Sequence, residues 1–226
     1  GITVNRLVLE YFLAEHRTDA VVYVLDSFAF YSRQWNEARL QDTALYRRAS
    51  FDPALAWRLL RRAATFWVAV DYLSGFSKIN NPSRFAPDLF DEEASRFDRT
   101  YRPVPQIDRQ RIAYLYPPGV DETRLSDNPY LAELDALIRD LQARGIRVMV
   151  IRPPIPARIR DMIPNEAQFD ATLEMLVARH GVAYHDFASV SNDEALFFDS
   201  DHLNQDGVER FFENHLREVL IDGRGE

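Results

Sequence analysis

The chain has 226 residues, 46% of them hydrophobic and 12% aromatic, and a formal net charge of −8. Such a length and composition describe a globular protein with one well-buried domain, and they exclude a disordered chain. The acidic balance argues against a nucleic-acid partner, which usually meets a basic face. The absence of cysteine excludes disulfides, zinc–thiolate sites and cysteine nucleophiles, and leaves the compartment open.

No apolar run approaches the roughly 18 residues of a membrane span, and no signal peptide stands at the start. The sequence begins Gly1-Ile2-Thr3 without an initiator Met and passes at once into a helix with Val4, Leu7, Val8, Tyr11 and Phe12 on one face. From this we expect a chain cut from a longer one. Thr3 is placed to cap that helix, which runs to Glu15 or His16. Ala20-Val21-Val22-Tyr23-Val24-Leu25 is continuous, apolar and β-branched, the pattern of a strand buried on both faces of a parallel sheet. It runs out into Asp26-Ser27-Phe28.

Residues 33 to about 128 read as a helical and loop-rich insertion. Asp52-Pro53 opens a helix through Leu59 toward Tyr72, in which Arg58, Arg61 and Arg62 accompany Trp57 and Trp67. With one short basic cluster, it reads as packed cover over the sheet edge rather than a membrane-surface helix. Beyond Gly75 the chain turns polar and irregular through Asn80-Asn81-Pro82 and Pro103 to Arg111, the kind of segment that carries specificity or wraps a domain. Ile112–Tyr116 is at most a short strand.

Regular architecture returns at Asn128-Pro129, a cap followed by proline at the first helical position. Leu131, Leu134, Ile138 and Leu141 form the buried stripe, and Gly145 ends the helix. Ile146–Ile151 is a second core strand, closed by Arg152-Pro153-Pro154. Asn165 with Gln168 marks the start of another helix, carrying Phe169, Leu173, Leu176 and Val177 to Gly181. Val182-Ala183-Tyr184 is a third, short strand that ends in His185-Asp186. Strands alternating with helices in this order predict an α/β fold with an open parallel sheet, in which sites lie beyond the carboxyl ends of the strands.

The stretch Phe198-Asp199-Ser200-Asp201-His202-Leu203-Asn204-Gln205-Asp206-Gly207 precedes a terminal helix with Phe211, Phe212, His215, Leu216 and Val219 on one face. Asp206 with Glu209 reads as a capping-box-like start. Asp199 and His202 therefore fall in a short anchored loop, where an acid can fix the ring of a base. Asp201 is expected to face solvent. A calcium loop fails on its own pattern, because Leu203 stands where an oxygen ligand is needed and Asn204 where the turn glycine belongs. A solvated acidic turn is the plain alternative. The other histidines point to less: His16 and His180 sit at helix ends, His215 on a packing face, and His185 at a strand end.

Strands ending in Pro153-Pro154 and in Asp186, then Asp199-x-x-His202 with Leu203, Asn204 and Gly207, resemble the SGNH (GDSL-type) hydrolases, above all over residues 128–220. The resemblance implies a flavodoxin-like open sheet, needs no cofactor or metal, and makes His202 the general base, its ring held by Asp199, toward a serine nucleophile. That serine has two readings. In one, Leu25-Asp26-Ser27 replaces the family's Gly-Asp-Ser and Ser27 attacks, with Ser74-Gly75 and Gly119 as weak matches to later blocks. In the other, which we prefer, Gly1 is the second-block glycine of the oxyanion hole, Asp26-Ser27-Phe28 stands at the third block, and the serine lies upstream. This second reading is similar to the envelope-associated members, with a membrane anchor ahead of this chain and a periplasmic location. The expected activity is hydrolysis or transfer of an ester acyl group, on an envelope glycan or a small molecule. A non-catalytic domain that binds glycan or a partner through the same cleft is the alternative. A response-regulator-like domain is disfavoured, since its acidic cluster at the first strand is missing.

Overall fold

The computed structural model describes residues 1–41, 53–62, 99–117 and 127–222, together with Val70 and Phe97. The expectations for Trp67, Tyr72, Ser74-Gly75, Asn80–Pro82 and Gly119 lie outside the described residues. Three strands, β1 (Ala20–Val24), β2 (Arg147–Arg152) and β3 (Ala183–Asp186), form one sheet in that order. Both pairings are parallel, with Val22 opposite Met149 and Met149 opposite Ala183. The chain is thus an α/β protein with a three-stranded parallel sheet, as the strand order predicted.

Three amphipathic helices build the core over one sheet face: α1 (Ile2–Glu15), α6 (Pro129–Ala143) and α8 (Glu166–Arg179). Ile2, Leu134, Ile138, Phe169 and Leu173 are fully buried, and Tyr23 and Val150 meet this cluster from the sheet. Burial of this kind stabilises by about 25 cal/mol per Å² of apolar surface. Strand β1 departs from its expected burial on both faces. It alternates, with Tyr23 inside and Val22 and Val24 exposed, so the described helices cover only one side of it.

The remaining elements in chain order are α2 (Phe28–Tyr31), α3 (Arg33–Gln41), α4 (Pro53–Arg62), α5 (Pro105–Leu115) and, after β2, α7 (Ala157–Arg160). A short 3₁₀ turn (Glu194–Leu196) leads to the terminal helix, composed of α9 (Gln205–Phe211), a π turn (Phe212–Leu216) and α10 (Arg217–Asp222). Helix α5 corrects the irregular segment and short strand expected there. Pro105 sits at its first turn, where a missing N–H costs nothing, and Ile112 and Leu115 meet the core at a helical spacing of three.

The helix starts bring further corrections. Asn128 caps α6 as expected, accepting from the N–H groups of Tyr130 (2.9 Å) and Leu131 (3.2 Å). Thr3 does not cap α1. Gly1 takes that position, Asn36 Oδ1 accepts the Ile2 N–H at 3.0 Å, and the Thr3 hydroxyl donates to Glu133 at 2.6 Å. Asn165 turns left-handed (φ 54°), a conformation its short polar side chain tolerates, and gives no capping bond to α8. At the terminal helix Asn204, not Asp206, is the cap, accepting the Gly207 N–H at 2.9 Å. No helix among the described residues is long and apolar enough to cross a membrane.

Candidate active site around His202

The loop from Phe197 to Leu203 is a tight antiparallel crossing rather than a loose turn. Phe197 and Leu203 form a β-bridge, the Phe198 N–H donates to the His202 carbonyl (3.0 Å), and the Asn204 N–H donates to the Leu196 carbonyl (2.8 Å). Buried Phe197 anchors it from below. Inside the crossing, Asp199 Oδ1 accepts the backbone N–H groups of Asp201 (3.0 Å) and His202 (2.8 Å). Asp199 thereby fixes the backbone of the very residue whose ring it also holds.

That ring bond is short. His202 Nδ1 lies 3.0 Å and 2.9 Å from the two Asp199 carboxylate oxygens. The ring is exposed, and Nε2 has no partner among the described residues. A neutral ring in this setting carries its proton on Nδ1 and offers a lone pair at Nε2. The hydrogen bond that Nδ1 donates to Asp199 raises the affinity of His202 for a second proton, helped by the Asp201 carboxylate and opposed by partial desolvation in the loop and by Arg111. Partial burial pushes the Asp199 carboxyl upward, but the His202 bond and charge and the two backbone amides outweigh it and hold it below the usual range.

Asp201 is where the structure corrects the sequence reading. It does not face solvent. Its carboxylate takes two parallel bonds from Arg111 of α5, Nε to Oδ1 at 2.9 Å and Nη2 to Oδ2 at 2.8 Å. Its Oδ1 also lies 3.9 Å from His202 Nδ1. Asp199, Asp201 and His202 bring ligand-type atoms within 4.8 Å of one another. Both Asp201 oxygens are committed to a guanidinium, and Asp199 to two amides and a ring, so the cluster is an ion-pair network in which Arg111 supplies the cation.

Ser27 follows shortly after β1, and its hydroxyl is engaged elsewhere than with the base. It is fully buried, and its hydroxyl lies 2.6 Å from the Tyr116 hydroxyl and 2.8 Å from Glu166 Oε2. Among the described residues, neither Ser27 nor Gly1 bonds to His202. Gly1 packs so closely on Asn36 that a Cβ there would lie 2.6 Å from Asn36 Oδ1. The Asn36 amide in turn donates to the carbonyls of Ala29 (2.7 Å) and Ser32 (3.0 Å).

Behind Ser27 lies a charged cluster that the sequence reading missed. Arg152, at the end of β2, is 1% exposed. It pairs with Glu166, with Asp170 at 2.6 Å and with Asp186 at 3.7 Å. Asp26 joins it with a buried Oδ1 that has no hydrogen-bond partner among the described residues. Burial raises the Asp26 carboxyl to about 7, with Asp201 and Asp186 adding to the rise and Arg152 and His202 opposing it. The charges of His202 and Asp201 thus reach the end of β1, which places loop and strand end on one side of the sheet. The signal for Arg152 was an arginine directly after the apolar run Val148-Met149-Val150-Ile151. A buried arginine needs acids around it, and these come from a different helix and strand.

Three other histidines make contacts outside this site. His180 ends α8 and lies 2.7 Å from Asp135, while His185 stacks on Phe187, which also meets Phe211 and His215. A groove of about 870 Å³ crosses the open sheet face, lined by Val22, Met149, Ala183 and Leu220, and His202 takes no part in it. Compared with known proteins, the chain matches no family model and no curated protein sequence, so the chemistry of the site rests on its own geometry.

Proposed function

We propose that the chain carries the base half of a serine acyl-transfer site, acting as an SGNH-type ester hydrolase or O-acyltransferase with an envelope glycan ester as the substrate class. The observation that carries this reading is the His202 ring: Nδ1 is held by both Asp199 oxygens, and Nε2 is bare on an exposed ring. A general base needs a fixed tautomer before it needs a tuned pKa, and this loop provides one. His202 Nε2 takes the serine hydroxyl proton as the oxygen attacks the ester carbonyl, and later returns it to the leaving alcohol. Asp199 balances the imidazolium in between. Because its proton affinity is raised, His202 is a working base only above the ordinary imidazole midpoint of 6.5, so the rate rises with pH through a midpoint on the alkaline side of that value. Ser27 is a poor candidate for the nucleophile, since its hydroxyl is buried and shared between Tyr116 and Glu166. The reading therefore calls for another serine, and one upstream of Gly1 fits the family pattern of an envelope-associated member on a flavodoxin-like sheet.

The same burial of Ser27 favours the second reading, a glycan- or partner-binding domain without turnover. Labelling with a fluorophosphonate, followed by peptide mapping, separates the two. For the enzyme, one serine other than Ser27 is labelled, and His202→Ala removes the labelling without changing the circular dichroism. Asp199→Asn then lowers p-nitrophenyl acetate hydrolysis by roughly three to four powers of ten. No labelled serine in the folded full-length protein would leave the binding domain as the account.

A further inference from the structure

We infer that Arg111 is a positioning residue for His202, holding Asp201 off the imidazole so that Asp199 alone engages it. This rests on reading His202 as the working base. Helix α5 reaches the loop directly at one point and, through Arg158 of α7, at the neighbouring one. Arg111 grips Asp201 through two parallel bonds of 2.9 and 2.8 Å. One residue earlier, the Ser200 carbonyl accepts from Arg158 at 3.2 Å, and Arg158 is itself paired at 3.1 Å with Asp108 of α5. Asp108 is buried and also accepts from the Tyr101 hydroxyl at 3.0 Å. Asp201 is therefore pinned directly by the segment that the sequence suggested only wraps the domain or carries specificity, and Ser200 is held by Arg158 of α7, which that segment grips through Asp108.

The pinning has an electrostatic side. Asp201 Oδ1 is 3.9 Å from Nδ1, against 2.9 Å for Asp199 Oδ2, so Asp201 is a near competitor for the same ring nitrogen. Arg111 Nε occupies that Oδ1, and its positive charge cancels the Asp201 carboxylate at short range. The charged groups that face the ring are Asp199 and Asp201 from its own loop, Arg111 from α5 and Asp26 from the end of β1. Arg99 lies farther out, its guanidinium over Phe198, whose ring is 6.0 Å from the imidazole. Losing Arg111 would free a second carboxylate to bind Nδ1 and hold the ring in its protonated, non-basic form.

A clamp that only stiffens the loop would behave in the opposite way. Its loss would loosen the Asp199 bond and let His202 drift back toward an unperturbed imidazole. Titrating the His202 ring by NMR in the 226-residue chain distinguishes the two, with the resonance assigned through His202→Gln. Arg111→Gln should raise the midpoint by about 0.5–1 pH unit, Asp201→Asn should lower it, and the double variant should return close to the parent value. A midpoint that falls or stays put in Arg111→Gln, or one that fails to fall in Asp201→Asn, overturns the proposal. Asp201→Asn carries the test alone if Arg111→Gln does not fold. In any ester assay, Arg111→Gln should move the acidic limb of kcat upward while KM holds. The expected titration without ester turnover would uphold the role of Arg111 and sink the acyl-transfer reading, so the two fail separately.

Discussion

The residue with the most to say about pH is Asp26. It lies just beyond β1, with a buried oxygen that has no hydrogen-bond partner among the described residues and a carboxyl raised to about 7, chiefly by burial. An unfolded chain releases that proton near pH 4, whereas the folded chain keeps it until near 7. The folded state therefore binds the extra proton across this window. The stability that the neutral carboxyl contributes is complete below pH 4 and declines as pH rises to about 7. Asp26→Asn keeps the shape and removes the titration. Its stability should exceed that of the parent at both pH 5 and pH 8, and the gain at pH 8 should be larger by about 1–3 kcal/mol, checked by denaturant melts at the two pH values. A gain that is equal at both would show that Asp26 is already ionised at pH 5. Neither this residue nor Arg152 was legible as a pair in the sequence. Both were seen as strand ends, but their burial depends on Glu166, Asp170 and Asp186 arriving from elements 14 or more positions away from Arg152.

At the scale of elements, the sequence spoke clearly where its signals were local. The cap and proline at Asn128-Pro129, the stripe of α6 and the three strands are each written in a few adjacent residues, and each formed as expected. Helix α5 was missed because its apolar positions are few and its charged ones, Asp108 and Arg111, are committed to residues more than 40 positions away. Asp201 was misjudged for the same reason: alternation in an extended loop predicts solvent, and a distant arginine overrides it. The loop itself depends on one close approach. A Cβ on Gly207 would lie 2.2 Å from the Leu196 carbonyl oxygen, so the first turn of α9 can dock there only without a side chain. Gly207→Ala should therefore cost at least about 2 kcal/mol and disorder the His202 loop, visible as loss of protection at the Phe198 and Asn204 amides. A variant with parental stability and an intact His202 titration would show that the terminal helix can shift at no expense.

At the scale of the whole molecule, the sequence conveyed the α/β class and the parallel order, because both follow from the alternation of apolar strands and striped helices. It conveyed less about how much of the sheet the described helices cover. Val22 and Val24 are apolar, which reads as buried, yet both are exposed on the face opposite Tyr23. Periodicity tells which residues share a face, and only neighbours elsewhere in the chain decide whether that face meets water.

The strand order also sets a sequence of events in time. Met149 pairs with Ala183, about thirty residues on, through the compact helix α8, whereas Ala20 finds Arg147 only after well over a hundred residues. Closing the longer span costs more chain entropy before any contact repays it. Strands β2 and β3 with α8 should therefore assemble first, and β1 should zip on last and peel away first. Native-state hydrogen exchange is expected to show the Val22 and Val24 amides opening at lower free energy than those of Val150 and Ile151. Since Asp26 and Ser27 are tied to the end of that late strand, the charged cluster around Arg152 would be completed in the final step of folding, after the His202 loop already has its shape.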